Sequence, residues 1–446
     1  MVLLKLKIEC EIGHYKTFFP SRKYLSSLQS FQGLEIVIEE LKKRETIALI
    51  TLLAAYIVLS AYLPQYIKYS DVKEFYIPAG LSYINGASPD KVNFEHPPLA
   101  KYIIGLSVEL SGQVYISSVI FTLIFLCGLW NLLRILFNNV TLCTITLILL
   151  ILDPLFINVS RSGLLDVYMN SFLVWSLYYY VKSQGMLKRN YIVLSGILGG
   201  LATASKWPAL YIILAIILYS IIRYRNYEKR VIIKGLTLFI TLIILTYMTT
   251  YTVYFIKGNN IIDFINLQLK MVNYHISRHE YTLMMMFNGI LRTFFKMEIH
   301  EAWYLGQYHF IISSSNGTYT ILTQLLKPPE FQGVKIYLNL GSDGLSHLLF
   351  LWAIVNTTYM CYLKWKNKQT LYKEPLILTL ATSSILNVLH APIDWYLYNT
   401  LPYLYMLLAS NIQDNKKAIL LCILLNLASL IFLISGITKL SFLIRA

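Results

Sequence analysis

The sequence predicts an all-α polytopic membrane protein, and three observations carry that prediction. Apolar residues make up 56% of the 446 residues and charged residues only 14%, compared with roughly 25% charged residues in a soluble domain. The mean hydropathy is +0.56. The apolar residues form continuous runs of about twenty, which suits a membrane-spanning helix and not the alternating strands of a membrane β-barrel. A soluble, fibrous or disordered chain is therefore excluded.

The basic residues are distributed as membrane topology requires. The formal net charge is +15, but Lys and Arg cluster in short loops between apolar runs, at residues 182–189, 223–230, 364–373 and 416–417. Such clustering is the positive-inside pattern of multi-span proteins. The charge therefore predicts cytoplasmic loops and does not indicate a nucleic-acid partner.

The chain divides into a short N-terminal segment and about eleven predicted spans. Residues 1–45 are too charged for a signal peptide and are expected to lie in the cytoplasm. With that start, all four basic loops fall on the cytoplasmic side. The predicted spans are 46–66, 113–137, 140–158, 162–181, 190–205, 207–223, 232–256, 344–363, 375–391, 394–411 and 417–440.

Two large segments are predicted outside the cytoplasm. The first, residues 67–112, belongs to a transmembrane core of residues 46–256, and the second is an outer loop at 257–343. The C-terminal spans then occupy 344–446. Both outer segments are too apolar and aromatic for plain loops, and Leu99 to Leu110 has the pattern of an amphipathic interfacial helix.

The first outer segment carries candidate catalytic and anion-binding residues. Asp71 and Glu74 follow the first span, at the depth where the polar head of an amphiphilic substrate would lie. Pro97 and Pro98 break any preceding helix, so a helix is expected to start near Leu99, with Lys101 in its first turn. Helix N-termini favour anions, and His96 and Lys101 add donors suited to a lipid phosphate. The alternative is that the acidic pair only ends the span.

Further charges lie near the outer ends of later spans. A charge near the bilayer centre costs about 2.5–3.5 kcal/mol, so Asp166 and Lys206 should face the bundle interior or a wet cavity. For Arg161 and Lys206 the alternative is that they reach toward lipid headgroups. For Asp166 the alternative is a structural ion pair with Arg161.

Several of these motifs together resemble the dolichyl-phosphate-mannose–protein mannosyltransferases. They are similar to that family's first-loop acidic motif, its HPPLGK-type motif, its SR…LLD block, its KW block and its aromatic-proline motif. They occur in family order over about residues 46–410. The matching stretches are Asp71, His96 to Lys101, Ser160 to Asp166, Ser205 to Trp207, and Trp395 to Pro402.

The resemblance implies a GT-C fold and the inverting transfer of one sugar, usually mannose. The donor would be a polyprenyl-phosphate (dolichyl-phosphate) sugar, and the acceptor a Ser/Thr hydroxyl of a protein outside the cytoplasm. Asp71 would be the general base, Glu74 would take the family's second acidic role from the next helical turn, and cations would stabilise the leaving phosphate. The phosphate candidates are Arg161, Lys206, His96 and Lys101, with the first two favoured. A monophosphate can be neutralised by such side chains, so no cofactor and no obligatory metal is expected. Membrane lipids are the remaining expected partners.

The sequence also departs from the family pattern and leaves alternatives open. Val72 and Lys73 separate the two acidic residues, which are usually adjacent in the family, so an inactive paralogue is one alternative. The outer loop at 257–343 matches only loosely, so a lipid or glycan acceptor, as in aminoarabinose transferases, stays open. A transporter is the alternative from another class, and a dimer also stays open. Candidate site-lining residues are Glu95, Asp166, His275, His279, His390 and Asp394.

Overall fold

The computed structural model describes most of the chain beyond its N-terminal thirty residues. The described residues are 31–65, 69–184, 187–223, 228–278, 283–301, 303–305, 308–315, 318–325, 333–341, 344, 347–367, 374–390, 394–436 and 439–445.

Helices dominate the described residues. The N-terminal half contains α1 (Phe31–Tyr62), a π-helical segment (Val72–Tyr76), α2 (Ile77–Ile84), α3 (Leu99–Ser111), α4 (Val114–Phe137), α5 (Val140–Ile151), α6 (Pro154–Val159), α7 (Leu165–Lys182), α8 (Arg189–Ser205), α9 (Ala209–Arg223), α10 (Lys229–Thr249) and α11 (Thr252–Ile256). The second half contains α12 (Ile261–Arg278), α13 (Leu283–Phe295), α14 (His347–Lys366), α15 (Glu374–His390), α16 (Asp394–Tyr398), α17 (Leu401–Ile412) and α18 (Lys416–Ile434).

Every predicted span coincides with one of these helices or with two consecutive ones, except for the C-terminal end of the span 417–440, so the predicted helical membrane fold is confirmed. Among the described residues, four helices are long and apolar enough to cross a membrane: Lys43–Tyr62 within α1, α4, α10 and α18. Shorter apolar helices are α5, α9, α17 and the Pro375–Leu389 part of α15. The chain is therefore a multi-pass membrane protein.

Breaks divide two of the spans that were predicted to be continuous. The predicted span 140–158 is two helices, because Asp153 caps α6 through Phe156 N and Pro154 occupies its first turn. A proline starts a helix well and cannot continue one. The predicted span 417–440 ends at Ile434, and the chain then forms strand β6 (Lys439–Arg445).

Strands outside the membrane helices were not predicted from the sequence. They are β1 (Met297–Glu301), β2 (Trp303–Leu305), β3 (Tyr308–Ser315), β4 (Thr318–Leu325) and β5 (Gly333–Asn339). They form two three-stranded antiparallel sheets, β1-β5-β6 and β2-β3-β4. Strand β6 pairs with β5 from Gly333↔Arg445 to Asn339↔Lys439, so the C-terminal strand completes a sheet whose other strands lie between residues 297 and 339.

Close helix packing fixes the first outer segment. Helices α2 and α3 cross where Gly80 meets Gly105. A Cβ atom built on Gly80 would lie only 2.4 Å from the Lys101 carbonyl oxygen and 2.6 Å from the Gly105 nitrogen. Only glycine allows two backbones to approach so closely. This crossing holds the start of α3 against α2.

A tight turn and a polar contact position the central helices. Gly163 has φ +84°, a left-handed conformation that suits glycine, and the turn it forms leads directly into α7. On the same helix, the Ser176 hydroxyl donates to the Ser195 carbonyl of α8 at 2.8 Å. Small residues of this kind let membrane helices approach closely and bond across the interface. Asp166, in the first turn of α7, is thereby placed beside the end of α8.

Candidate active site

A buried ion pair lies at the junction of α7 and α8. Lys206, in the linker between α8 and α9, donates through Nζ to Asp166 Oδ2 at 2.7 Å. The two side chains are 2% and 0% exposed. Both sequence candidates therefore face the interior, as predicted. The expected alternative partner was wrong, because Asp166 pairs with Lys206 and not with Arg161.

The ion pair is extended by two amides. Asn399 Nδ2 donates to the second carboxylate oxygen of Asp166 at 2.7 Å, and Asn170 Nδ2 donates to Asn399 Oδ1 at 2.7 Å. The ring of Tyr396 lies 4.5 Å from Lys206 Nζ in a cation–π contact. In the described part of the chain, the other two N–H groups of Lys206 have no hydrogen-bond acceptor.

The charge of Asp71 acts on the same cluster. Asp71 is half-buried at the start of the π-helical segment, and π-helical turns are frequent at functional sites. Burial lowers the pKa of Lys206, but the charges of Asp166 and, more weakly, Asp71 outweigh burial and raise it above its ordinary value. Burial, followed by the charges of Asp71 and Asp166, raises the pKa of Tyr76 well above its ordinary value. The two carboxylates therefore both lie within electrostatic range of Lys206 and Tyr76.

Glu74 lies on a different part of the segment. Its side chain is exposed, whereas Val72 and Tyr76 of the same π-helical segment are buried. The geometry therefore favours Asp71 over Glu74 as the carboxylate that faces the cluster.

Histidine and aromatic side chains connect the first outer segment to α12. The rings of His96 and His275 lie 5.3 Å apart, and those of His96 and Tyr76 lie 6.0 Å apart. His275 Nε2 is 2.8 Å from the Glu95 carbonyl oxygen, and the His275 ring lies 5.9 Å from that of Trp207. Two predicted site residues from distant parts of the sequence, His96 and His275, are thus brought together beside the linker that carries Lys206. The Glu95 carboxylate accepts from Asn93 Nδ2 at 2.5 Å.

Arg161 is buried and committed to backbone carbonyls. Nε donates to Ile157 O at 2.7 Å, Nη1 to Ser60 O at 3.1 Å and also to Leu63 O, and Nη2 to Pro64 O at 3.0 Å. Arginine side chains of this kind satisfy the terminal carbonyls of a helix. Arg161 therefore caps the end of α1, and its side chain also lines a cavity of about 440 Å³ next to Gln65 and Tyr115.

Lys101 reaches back to the loop that precedes its own helix. Its ammonium donates to the backbone carbonyls of Asn93 and of His96, the latter at 2.7 Å, and its side chain is 0% exposed. Burial lowers its pKa to about 7. These contacts favour a role for Lys101 in holding the loop that carries His96, and not a direct contact with phosphate.

Three predicted site-lining positions are located incompletely. His279 lies outside the described residues. His390 is the last residue of α15 and Asp394 is the first residue of α16; the structure describes the backbone at these two positions and not the side chains.

The aromatic-proline motif supplies site residues that were not predicted individually from the sequence. Within it, Trp395 packs edge-on against Tyr69 at 5.3 Å, Tyr396 lies beside Lys206, Tyr398 stacks on Phe156 at 5.4 Å, and Asn399 binds Asp166. The motif was visible in the sequence as a resemblance. The sequence did not show that these four side chains would contact four different parts of the N-terminal half.

Comparison with known proteins identifies the region that carries most of this site. Residues 95–249 match the family model described as dolichyl-phosphate-mannose-protein mannosyltransferase. No curated protein matches the chain. Among solved structures, the chain is similar to the S. cerevisiae protein O-mannosyltransferase Pmt1-Pmt2 complex bound to the sugar donor, with 18% identity and a TM-score of 0.40. That similarity covers 48% of this chain and 34% of the yeast chain, so this protein matches about a third of the relative's length.

The matched region contains three of the stretches on which the sequence resemblance is based: His96 to Lys101, Ser160 to Asp166 and Ser205 to Trp207. The family that those motifs resemble is therefore also the one whose model matches residues 95–249, about a third of the chain.

Proposed function

We propose that this protein transfers a single mannose, with inversion, from a polyprenyl-phosphate donor to a Ser/Thr hydroxyl of a protein on the extracytoplasmic face. The single observation that carries the proposal is the buried Lys206–Asp166 ion pair, 2.7 Å between Nζ and Oδ2, whose lysine has two further N–H groups to offer an anion. The half-buried Asp71 lies within electrostatic range of this pair. A carboxylate base and a cation bordering one space are what displacement of a phosphate by a hydroxyl needs.

In this reaction the acceptor hydroxyl oxygen forms the new bond to the anomeric carbon of the sugar. Its proton passes to the Asp71 carboxylate. The bond between the anomeric carbon and the phosphate oxygen breaks, and the lipid phosphate leaves with that electron pair. The transition state has oxocarbenium character, as in glycoside hydrolysis, so a negative charge near the sugar ring and a positive charge near the leaving oxygen both lower the barrier.

Lys206 is the group that we assign to the leaving phosphate. One of its three N–H groups is bound to Asp166, which leaves two for the anion. Arg161, in contrast, uses four of its five N–H groups on carbonyls. We assign Arg161 to the wall of the neighbouring cavity, where it adds positive charge at longer range.

The histidine pair is assigned to the acceptor side of the site. His96 and His275 come from the first outer segment and from α12, and their rings are in contact. Because imidazoles donate and accept hydrogen bonds near neutral pH, this pair suits orientation of an acceptor hydroxyl. Glu95 and Lys101 hold the loop between Asn93 and His96 in place. Glu74, at the exposed edge of the π-helical segment, is assigned to the entrance of the site.

The decisive experiment is sugar transfer by the full-length protein in nanodiscs. Dolichyl-phosphate mannose would be supplied with Ser/Thr peptides and, separately, with membrane lipids as acceptors, each with and without a chelator. The expected result is transfer to peptide that is insensitive to the chelator and lost in Asp71→Asn. Transfer to lipid alone would move the acceptor to the lipid-modifying branch. No transfer to either acceptor, at a donor concentration where binding is demonstrated, would overturn the proposal.

The orientation follows from the same proposal. If the basic loops face the cytoplasm, the π-helical segment and α12 lie on the opposite side, where a lipid-linked donor and a translocated acceptor meet. Accessibility of cysteines introduced at the exposed Lys73 and Lys188 to a membrane-impermeant reagent tests this. We expect labelling from outside at position 73 only, and labelling at position 188 would reverse the topology.

A further inference from the structure

The contacts of Asn399 point to a role that the family match does not cover. Asn399 lies in the turn between α16 and α17, at 150 residues beyond the end of the matched region 95–249. It reaches back to Asp166 on α7, 233 residues away in sequence. The C-terminal helices therefore contribute directly to the electrostatic cluster of the N-terminal half.

The hydrogen bonds of Asn399 have a defined direction. Its Nδ2 group faces a carboxylate oxygen, which can only accept, so the amide nitrogen must lie on that side. Its Oδ1 atom then faces Asn170, whose Nδ2 group donates to it. A flipped Asn399 would place its oxygen against the carboxylate and its nitrogen against another nitrogen donor. Asn170 thus fixes the orientation of Asn399, and Asn399 fixes that of Asp166.

The effect reaches Lys206 through the geometry of the carboxylate. With Oδ1 bound to Asn399, Asp166 presents Oδ2 to Lys206. Three residues before Asn399, on α16, the ring of Tyr396 lies 4.5 Å from the same ammonium. Asp166, Asn170, Lys206 and Asn399 are each at most 3% exposed, so water cannot replace these contacts at low cost.

We propose that Asn399 and Asn170 form an amide relay that positions the Asp166–Lys206 pair and so aims the Lys206 ammonium at the donor phosphate. This inference rests on the proposed function for the identity of the anion. Asn399 and Asn170 are positioning residues, because they act on the donor only through Asp166 and Lys206. The C-terminal turn is then part of the donor site and does more than pack against it.

The test uses Asn399→Ala, Asn399→Asp, Asn170→Ala and the Asn170→Ala/Asn399→Ala double variant of the full-length protein in nanodiscs. The readouts are the Kd for dolichyl phosphate, the donor and peptide KM values, and thermal unfolding. Asn399→Asp keeps the volume of the side chain but removes the donor that faces Asp166. The matched control is Asn426→Ala, an equally buried amide that binds Leu149 O and the Tyr405 hydroxyl, away from the relay.

We expect both Asn399 variants to raise the dolichyl phosphate Kd and the donor KM by roughly 10- to 100-fold, as loss of a hydrogen bond to a charged group predicts, with the peptide KM unchanged. Asn170→Ala should have a smaller effect that disappears in the Asn399→Ala background, because both residues act through one path. The control should lower thermal stability without changing the Kd.

Three results would overturn the relay. One is additive effects of the two alanine substitutions on the Kd. Another is normal donor binding by Asn399→Asp. The third is an increase in the Kd for the Asn426→Ala control as large as that for Asn399→Ala, which would reduce the effect to general destabilisation. Wild-type protein that binds dolichyl phosphate but transfers no sugar would refute the proposed function while the variants still decide the relay. Wild-type protein that neither binds nor transfers would overturn both.

Discussion

Lys206 Nζ lies 2.7 Å from Asp166 Oδ2, and neither side chain has meaningful contact with solvent. An ion pair at this depth gains little net stability, because desolvation of both charges offsets their attraction. Keeping such a pair in the interior of a membrane protein is more readily explained by chemistry than by folding. The pair lies beside Tyr396 and within electrostatic range of Asp71. We propose that the group on which it acts is the phosphate of the lipid donor.

Substitutions that break the Asp166–Lys206 ion pair should separate its contribution to stability from its contribution to sugar transfer. Lys206→Met leaves the Asp166 charge buried and unpaired, which should lower the free energy of unfolding by about 3–5 kcal/mol. The Asp166→Asn/Lys206→Met double variant removes both charges and should recover most of that stability. It should not recover sugar transfer, because the cation for the leaving phosphate is absent. Thermal unfolding and transfer rates, measured on the same preparations, check both parts. Recovery of transfer in the double variant would contradict the role of Lys206.

Removing the proposed base should abolish turnover without unfolding the protein. Asp71 is only half-buried, so Asp71→Asn should be tolerated structurally. Loss of a general base lowers the rate by about 10²- to 10⁴-fold, or roughly 3–5 kcal/mol of transition-state stabilisation. Steady-state transfer at saturating donor measures this loss.

Glu74→Gln is the matched control for that experiment. It removes a carboxylate from the same π-helical segment at an exposed position, and we expect less than a tenfold change in rate. If Glu74→Gln were as damaging as Asp71→Asn, both carboxylates would be needed for transfer.

The helical fold was predictable because the length and apolar composition of each run indicate that it lies in lipid. A run of about twenty apolar residues has no stable alternative to a helix in lipid. The breaks at Asp153-Pro154 and after Ile434 were less predictable, because apolar composition continues across them. The strands from Met297 to Asn339 also escaped prediction, since β1 and β5 pair across more than thirty residues and β6 joins them from the C-terminus.

The candidate site was predictable in its residue types and not in its pairings. The cost of a buried charge correctly placed Asp166 and Lys206 in the interior. The partner of Asp166 could not be deduced, because Arg161 is nearer in sequence while Lys206 is nearer in space. The contact of His96 with His275, and of Asn399 with Asp166, joins segments about 180 and 233 residues apart. Local patterns carry no information about such contacts.

Arg161 provides a test of whether carbonyl capping or phosphate binding dominates. Arg161→Ala leaves the carbonyls of Ser60, Leu63 and Pro64 without this donor, so we expect a lower thermal unfolding temperature. The Kd for dolichyl phosphate should change by less than in Lys206→Met. Differential scanning fluorimetry and lipid-phosphate binding give the two numbers. Unchanged stability with a large loss of binding would assign Arg161 to the phosphate instead.

The glycine crossing of α2 and α3 should control the site from a distance. In Gly80→Ala the new methyl group would lie 2.4 Å from the Lys101 carbonyl oxygen, so α3 must move. Overpacking of this kind costs about 1–3 kcal/mol. Displacement of α3 would also shift the contact of the Lys101 ammonium with the His96 carbonyl, and we therefore expect transfer to fall together with thermal stability. Leu106→Ala, an exposed position beside Gly105 on the same helix, serves as the control and should change neither. Wild-type stability in Gly80→Ala would show that the two helices can separate without cost, and the crossing would then not be what positions His96.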